Sequence, residues 1–372
     1  MPKYRIALMP GDGIGQDVME AAQIVLDKIA LDAEYVVADI GWEFWCKEGD
    51  PLPQRTLETL ETCDCALFAA ITSKPKEEAA AELVPELQGK GLTYRSPIVR
   101  LRQMFDLYVN MRPCKAFKGN PLNYRDDIDL VVFRENTEGL YAGVEFHPLP
   151  KEVRAALEAH SPRMMAFEGV PSEDIAVSCR IFTRAGCRRI VRRAFEYAQA
   201  HSYPTVTLVE KPNVIRETSG LMVREARKIA AEYPDIELWE TNVDAMAMWL
   251  VKNPQDYGVL VSSNMFGDIV SDLSAQLVGG LGFASSGNIG DDIAVFEPTH
   301  GSAPKYAGLY KANPTAMLLA VKLMLDWLGE TTTAKALEQA IADVIAEGNI
   351  RTYDLGGNST TLEVAQAVAE RL

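Results

Sequence analysis

The chain has 372 residues, of which 48% are hydrophobic and 24% are charged, which is typical of a folded enzyme with a sizeable core and two domains. The net charge of −15 argues against a nucleic-acid partner, because phosphate binding needs a basic surface. The apolar stretch 316–328 contains Lys322 and Asp326 and is too short to span a membrane. Six cysteines without disulfide-like spacing, and a polar glycine turn where a signal peptide would be apolar, favour a cytoplasmic protein with reduced thiols.

Strand and helix patterns alternate along the chain. Apolar runs predict strands at 4–9, 34–38, 66–70, 130–133, 175–182, 205–209 and 259–262. Helical spacing predicts helices at 17–30, 185–199, 313–328 and 333–347, with a last helix after residue 357. This alternation indicates βαβ units and parallel strands. Residues 145–173 hold four prolines and predict an irregular excursion or an oligomer arm.

A glycine-rich segment, Gly11-Asp12-Gly13-Ile14-Gly15, lies between the first strand and the first helix. A dinucleotide-binding turn has glycines in this place, but here the third glycine comes one position early. A tight turn that needs positive φ is the alternative. The motif alone therefore does not establish a cofactor site.

Polar residues follow two of the predicted strands. The segment 134–141, RENTEGLY, comes after one strand; Arg134 can clamp a carboxylate, and Tyr141 can deliver a proton. Lys211 and Asn213 follow another strand, and a lysine there can serve as a base. The alternatives are a solvated turn in the first case and a surface lysine in the second.

Two aspartates, Asp268 and Asp272, have the i, i+4 spacing that places both on one helix face. Like charges repel there, so a positive group is expected between them, and oxygen ligands suit Mg²⁺ or Mn²⁺. A solvated face is the alternative. Further along, residues 297–304 (EPTHGSAP) predict a loop whose polar groups can hold an adenine and a ribose.

In this order, the blocks resemble the β-decarboxylating dehydrogenases, a family of isocitrate, homoisocitrate, 3-isopropylmalate and tartrate dehydrogenases. The resemblance covers the chain from Pro10 to the last helix. It implies an α/β, isopropylmalate/isocitrate dehydrogenase-like two-domain fold with a shared mixed central sheet, not a Rossmann fold. It also implies a large cofactor-binding domain from residues 1–107 and 264–372. The small domain would be 108–263, with the dimer interface and an arm at about 145–182.

The same resemblance implies a site shared between the two subunits of a homodimer. A small hydroxy acid would be bound by Ser96, Arg102, Arg112 and Arg134. Mg²⁺ or Mn²⁺ would be held by Asp268, Asp272 and Asp244 of the partner subunit. Catalysis would use Tyr141 as the acid and Lys211 of the partner subunit as the base. The cofactor would be bound by Asn213, Glu297, His300, Gly301, Ser302, Ala303, Lys305, Tyr306, Asn313, Tyr353 and Asp354.

The resemblance implies that the choice of acid is made largely on the helix before Arg102. Ser96 matches a serine of isocitrate enzymes, and the segment 138–141 is similar to theirs. Ile98, in contrast, replaces their asparagine and favours a longer or more apolar acid. Isocitrate is predicted, with homoisocitrate and 3-isopropylmalate as alternatives. Because every catalytic position carries the family's residue, an enzyme is favoured over a non-catalytic regulatory subunit.

The choice of nicotinamide cofactor rests on two loops. Lys305 and Tyr306 stand where NAD-using members have an Asp, and a lysine suits the 2′-phosphate of NADP. Tyr353 agrees with that interpretation. Gly357, where strong NADP binders have an arginine, resembles the NAD group, as does Asp354. NADP is predicted, with NAD as the alternative.

Overall fold

The computed structural model describes residues 2–372, which form twelve β-strands and thirteen α-helices. The strands are β1 (Tyr4–Gly11), β2 (Ala33–Val37), β3 (Cys65–Ala70), β4 (Val109–Lys115), β5 (Asp129–Glu135), β6 (Glu145–Phe146), β7 (Val177–Ser178), β8 (Thr205–Glu210), β9 (Glu237–Asn242), β10 (Val259–Ser262), β11 (Ser285–Ile289) and β12 (Ala294–Pro298). The helices are α1 (Ile14–Ile29), α2 (Trp42–Glu48), α3 (Gln54–Leu60), α4 (Lys76–Ala81), α5 (Pro97–Met104), α6 (Lys151–His160), α7 (Arg184–Ala200), α8 (Thr218–Ala230), α9 (Val243–Lys252), α10 (Asn264–Gln276), α11 (Thr315–Trp327), α12 (Thr331–Glu347) and α13 (Thr361–Ala369).

Ten strands form one mixed sheet, in the order β2-β1-β3-β12-β11-β4-β5-β10-β8-β9. Its two ends are parallel, as the alternation predicted. Its middle is antiparallel, from β12 through β11 and β4 to β5. The parallel strands predicted from the alternation were wrong there, whereas the mixed sheet implied by the family resemblance is confirmed. The central strands β4, β11 and β12 carry polar residues such as Asn110, Asn288 and Glu297. These residues interrupt the apolar runs by which strands are recognised.

The segment expected to be an arm is more regular than its prolines suggested. It contains α6, a ten-residue helix with no buried side chain. Two short strands, β6 and β7, pair antiparallel on either side of it. The predicted strand at 175–182 was wrong except at Val177–Ser178. The prolines were misleading because Pro150 caps α6 instead of interrupting it.

Apolar clusters cover both faces of the sheet. On one face, α1, α11, α12 and α13 pack on the strands of one half, while α7 and α8 pack on those of the other half. On the opposite face, one cluster joins residues 7–107 to 293–295, and another joins residues 114–260 to 270–284. Helix α10 thus packs with the middle of the chain, although the predicted boundary assigned it to the large domain. The division into two domains remains a prediction.

The backbone conformation of the turn after β1 accounts for its glycines. Gly11 and Gly13 have φ of 67° and 58°, which side chains other than glycine rarely adopt. A Cβ on Gly13 would also overlap the carbonyl oxygen of Ser302. This geometry favours the tight-turn interpretation.

The expectations about membrane spans and cysteines can be compared with the described residues. None of the helices within 2–372 is both long and apolar enough to cross a bilayer. All six cysteines are free thiols, as their spacing predicted.

Candidate active site

A row of polar side chains crosses the middle of the sheet. Arg134 of β5 lies directly opposite Asn110 of β4, and Asn110 lies opposite Asn288 of β11. Residues that face each other across strands share a face of the sheet, as do residues two apart along a strand. The same face therefore also carries Arg112 of β4 and Glu297 of β12. The row lies between the two apolar clusters of that face.

Helix α10 lies over this row and presents its two aspartates to the arginines. Arg134 donates from Nη1 to Asp268 Oδ1 at 2.6 Å. Arg112 donates from Nη1 to Asp272 at 2.6 Å, and its Nη2 is 3.3 Å from Asp268. The guanidinium of Arg112 is therefore the positive group that the like charges required. Tyr141 donates its hydroxyl proton to Asp268 Oδ2 at 2.8 Å.

The third arginine is held by a buried polar network. Arg102 of α5 donates from Nε to Asn288 at 2.9 Å, and its Nη2 is 3.3 Å from Glu297 Oε1. Asn288 in turn donates to Glu297 at 2.6 Å and accepts from Asn110 at 3.0 Å. Glu297, which was predicted to bind the cofactor, thus orients a predicted substrate-binding arginine in this structure.

Burial and charge shift the protonation equilibria of this cluster. Burial lowers the pKa of Arg134 to about 10 and raises the pKa of Tyr141 above its ordinary value. Burial alone would raise the pKa of Asp268, but the guanidinium groups of Arg134 and Arg112 hold it below its ordinary value. The Nε of Arg134 is buried and lacks a partner among the described residues. The cluster therefore keeps Tyr141 protonated, Asp268 ionised and one arginine donor free.

The predicted base and the predicted third metal ligand lie together, apart from the aspartates of α10. Lys211 directly follows β8, and its ammonium group pairs with Asp244 in the first turn of α9. The hydrogen bond from Lys211 lowers the pKa of Asp244. Asn213, two residues beyond Lys211, is exposed. Within residues 2–372, no three His, Cys, Asp or Glu side chains converge as metal ligands.

The loop after β12 packs against the glycine turn. Ser302 is buried; its hydroxyl is 2.7 Å from that of Thr72, and its carbonyl accepts from the N–H of Ile14 at 2.8 Å. Its two neighbours in the sequence, Gly301 and Ala303, are exposed, and Ala303 has a positive φ of 35°.

His300, in the same loop, presents an imidazole without a full set of partners. Its Nδ1 lies 3.0 Å from the carbonyl oxygen of Gly301. Its Nε2 is shielded from solvent and has no partner among the described residues. Burial lowers the pKa of this imidazole, which keeps it neutral.

Two of the predicted cofactor tyrosines form a pair. The rings of Tyr306 and Tyr353 stack at 5.9 Å with an interplanar angle of 14°, and both are exposed. Close by, Asn313 donates to Asp354 at 3.0 Å. Lys305 is exposed, and its ammonium group makes no ion pair within residues 2–372. The structure thus pairs Tyr306 and Asn313 with two adjacent residues, Tyr353 and Asp354, and the Asn313–Asp354 pair is separated by 41 positions in the sequence.

Helix α5 carries the residues on which the choice of acid was based. Ser96 is the N-cap of α5, but its hydroxyl does not bond to the helix. Ile98 is partly buried and packs on the apolar cluster that contains Leu101 and Leu107. Because part of the Ile98 side chain packs against the core, this residue is a weaker indication of an apolar substrate than its sequence position suggested.

Sequence analysis did not select several buried polar residues near the site. Asn110 and Asn288 orient Arg102, as described above. Glu135 ends β5 and accepts from the backbone N–H groups of Thr137 at 2.8 Å and Glu138 at 2.9 Å, which shapes the turn leading to Tyr141. An asparagine or glutamate within an otherwise apolar strand was the available signal.

The family comparison covers nearly the whole chain. A model of the isocitrate/isopropylmalate dehydrogenase family matches residues 5–368. The solved structure of isocitrate dehydrogenase from Methylococcus capsulatus has a TM-score of 0.85 and 39% identity, covering 99% of both chains. These findings confirm the predicted fold class and the family resemblance.

Individual relatives have different printed names. The 3-isopropylmalate dehydrogenase of Methanothermobacter thermautotrophicus is 42% identical over 372 residues, covering 100% of this chain and 99% of the relative. The isocitrate/homoisocitrate dehydrogenase of Thermus thermophilus is 40% identical over 370 residues, covering 99% and 98%. Protein DlpA of Legionella pneumophila is 41% identical over 368 residues; the match covers 98% of this chain but 58% of that protein. The chain belongs to the isocitrate/isopropylmalate dehydrogenase family.

Proposed function

We propose that this chain oxidises and decarboxylates isocitrate to 2-oxoglutarate and CO₂, with NADP as hydride acceptor and Mg²⁺ or Mn²⁺ as the metal. The family and its relatives indicate a decarboxylating dehydrogenase that acts on a small hydroxy acid and uses NAD(P) and a divalent metal. The identity of the acid and the choice of nicotinamide are the proposed steps beyond that statement.

The observation that carries the proposal is the balanced charge of the central cluster. Three positive and three negative side chains meet there: Arg102, Arg112, Arg134, Asp268, Asp272 and Glu297. A tricarboxylate that binds the arginines would leave the two aspartates of α10 without counter-charges. Leaving a carboxylate in a partly dry site unpaired is costly, so a divalent cation should enter with the acid.

The donor groups suit such a cation. Asp268 and Asp272 offer carboxylate oxygens on one helix face, and Asp244 of the partner subunit would complete the set. When bound, Mg²⁺ or Mn²⁺ would acidify the 2-hydroxyl of the acid and stabilise negative charge after CO₂ loss. The arginines would meanwhile orient the carboxylates through paired hydrogen bonds.

Two side chains of this chain would move protons. Lys211 of the partner subunit, in its neutral amine form, would take the 2-hydroxyl proton as the hydride leaves C2 for the nicotinamide. Tyr141 would give its proton to C3 after the carboxylate departs as CO₂. The raised pKa of Tyr141 suits that role, because the hydroxyl keeps its proton until a strong base forms beside it.

The proposal of isocitrate rests on polar groups near α5. The hydroxyl of Ser96 at the N-terminus of α5 makes no hydrogen bond to the helix and could bind a substrate group. Part of the Ile98 side chain packs against the apolar core. A hydrogen-bonding group near the third carboxylate favours isocitrate over an acid with an apolar branch. Homoisocitrate and 3-isopropylmalate remain the alternatives, and a non-catalytic regulatory subunit is the second alternative.

The proposal of NADP rests on Lys305, which is exposed and makes no ion pair within residues 2–372. Lys305 directly precedes Tyr306, whose ring stacks on that of Tyr353. An exposed lysine that adjoins one of two stacked rings in the sequence suits a 2′-phosphate on an adenosine. NAD remains the alternative, because Gly357 provides no further cation.

A homodimer is supported by exposed apolar side chains on two neighbouring helices. Met248 and Val251 of α9 are exposed, as are Met265 and Ile269 of α10. Exposed apolar side chains on neighbouring helices are typical of surfaces that soluble proteins bury in an interface. Because Asp244 begins α9 and Asp268 lies on α10, this interface would run beside both groups of site residues.

A single absorbance panel tests the proposal. Isocitrate, homoisocitrate and 3-isopropylmalate are each combined with NADP and with NAD, and reduced cofactor is followed with Mg²⁺ and with chelator. We expect the highest kcat/KM with isocitrate and NADP, and no turnover in chelator. A higher kcat/KM with another acid would replace isocitrate. Absence of turnover in every combination would favour the regulatory-subunit alternative.

A further inference from the structure

An arginine whose side chain is only 13% exposed lies at the end of β8, outside the central cluster. Arg180 follows β7, and its Nη2 donates to the hydroxyl of Ser263 at 2.6 Å and to the carboxylate of Glu210 at 3.0 Å. Its Nη1 donates to the hydroxyls of Thr218 at 3.1 Å and Ser219 at 3.0 Å. One guanidinium therefore joins three separate segments of the chain.

Two aromatic rings restrict the orientation of this guanidinium. Its central carbon lies 4.4 Å from the ring centre of Phe182 and 4.9 Å from that of Phe266. Contacts of a cation with ring faces are favourable, especially where water is excluded. Arg180 is therefore held by both its hydrogen bonds and its packing.

The acid that Arg180 contacts is deeply buried. Glu210 is the last residue of β8 and is 1% exposed. Its carboxylate also accepts from the hydroxyl of Ser219 at 2.5 Å and from the backbone N–H of Ser263 at 3.0 Å. A carboxylate at this depth needs a partner of opposite charge, and Arg180 supplies it.

Both groups of site residues are anchored at this network. Lys211 follows Glu210 directly, and its backbone N–H lies 3.4 Å from the Ser219 hydroxyl. Ser263 immediately precedes α10, the helix that carries Asp268. A shift of Arg180 would therefore move the segment that presents Lys211 and the helix that presents the aspartates.

We propose that Arg180 is a positioning residue that fixes Lys211 and the aspartates of α10 at the same time. This inference rests on the proposed function, in which Lys211 is the base and Asp268 and Asp272 hold the metal. In a dimer with shared sites, Lys211 works in the partner's cleft, whereas the aspartates work in the chain's own cleft. Arg180 would then influence both active sites of the dimer.

The test is the variant Arg180→Gln. We expect kcat to fall about 10- to 100-fold, because supporting contacts of metal sites and small misplacements of reacting groups have effects of that size. The KM for the acid at saturating metal should change less than about threefold, because Arg180 contacts none of the three substrate arginines. The Mg²⁺ concentration that gives half-maximal rate should rise.

Two further variants separate positioning from general stability. Arg180→Lys keeps a charge beside Glu210 but lacks the planar fork, so it should recover thermal stability and only part of kcat. Arg188→Gln is the matched control, because Arg188 also pairs with a buried acid, Glu225, at 2.6 Å. Arg188 contacts no residue of the site, so its kcat should stay within about twofold of the parent value.

The outcomes distinguish this inference from the proposed function. If the parent enzyme turns over and Arg180→Gln has a kcat within twofold of it, or no lower than that of Arg188→Gln, the positioning role is wrong. If the parent itself shows no turnover, the proposed function fails. Amide hydrogen exchange then tests Arg180 by itself: Arg180→Gln should raise exchange in both 211–219 and 263–268, and an unchanged rate in either segment overturns the inference.

Discussion

Replacing the two aspartates of α10 by asparagine, one at a time, separates their catalytic role from their structural role. Arg134 is 2% exposed, and within residues 2–372 its only charged partner at hydrogen-bonding distance is Asp268. Asp268→Asn would leave that guanidinium buried without a counter-charge. Among the described residues, Asp272 pairs only with Arg112, and Arg112 also contacts Asp268, a contact that Asp272→Asn would leave in place.

The expected loss of stability follows from these exposures. Breaking a buried ion pair on one side costs about 3–5 kcal/mol. Because the Asp268 side chain is 36% exposed, we expect a loss of about 2–3 kcal/mol in the free energy of unfolding. Asp272 is 62% exposed, and a pair of that kind contributes less than about 1 kcal/mol. Relief of repulsion between the two aspartates is the same for both variants and cancels in the comparison.

Thermal unfolding and initial rates measure the two effects. For 372 residues, the entropy of unfolding is roughly 0.8 kcal/mol per kelvin, so Asp268→Asn should lower Tm by about 3–4 °C and Asp272→Asn by about 1 °C. Both variants should lose at least about 100-fold in kcat/KM, since the metal contributes several kcal/mol to the transition state. The reasoning would be refuted if the Tm of Asp268→Asn lay within 1 °C of the parent Tm. It would also be refuted if Asp272→Asn had a lower Tm than Asp268→Asn.

Three other predictions address the cofactor and the dimer. Lys305→Asp should shift the ratio of kcat/KM from NADP toward NAD by at least about tenfold, because a charge-assisted contact is replaced by repulsion; an unchanged ratio would remove Lys305 from the site. Gly357→Arg should lower Tm without raising the preference for NADP, because a Cβ at this position would overlap the carbonyl oxygen of Arg351. Lys211→Ala and Asp268→Ala, each inactive alone, should regain up to about one quarter of parent activity after subunit exchange in an equal mixture, since half of the dimers then hold one intact site. No recovery after confirmed exchange would contradict a shared site.

Much of the fold could be predicted where hydrophobic patterns are uninterrupted. The runs of β1, β3, β8 and β10 were recognised because each contains at least four consecutive buried residues, as expected of parallel strands covered on both faces. Strands β4, β11 and β12 were missed because Asn110, Asn288 and Glu297 turn their polar groups into the site. This buried polar network thus interrupts the hydrophobic pattern by which these central strands would be found.

One contact of the candidate site could be predicted from the repulsion between like charges. The spacing of Asp268 and Asp272 required a positive neighbour, and Arg112 fills that place in this structure. The contact of Arg102 with Glu297 could not be predicted, because the two residues lie 195 positions apart and meet only through the order of strands in the sheet. The same holds for Arg180, whose partners come from three separate segments.

The most direct measurement is a crystal structure of the dimer with isocitrate and Mn²⁺, using the anomalous signal of manganese. We predict one manganese site between Asp268 and Asp272, completed by Asp244 of the partner subunit, with metal–oxygen distances of about 2.0–2.3 Å. Arg134 should have left Asp268 and turned to a carboxylate of the acid. Manganese elsewhere, or Asp268 still paired with Arg134 while isocitrate is bound, would contradict the account.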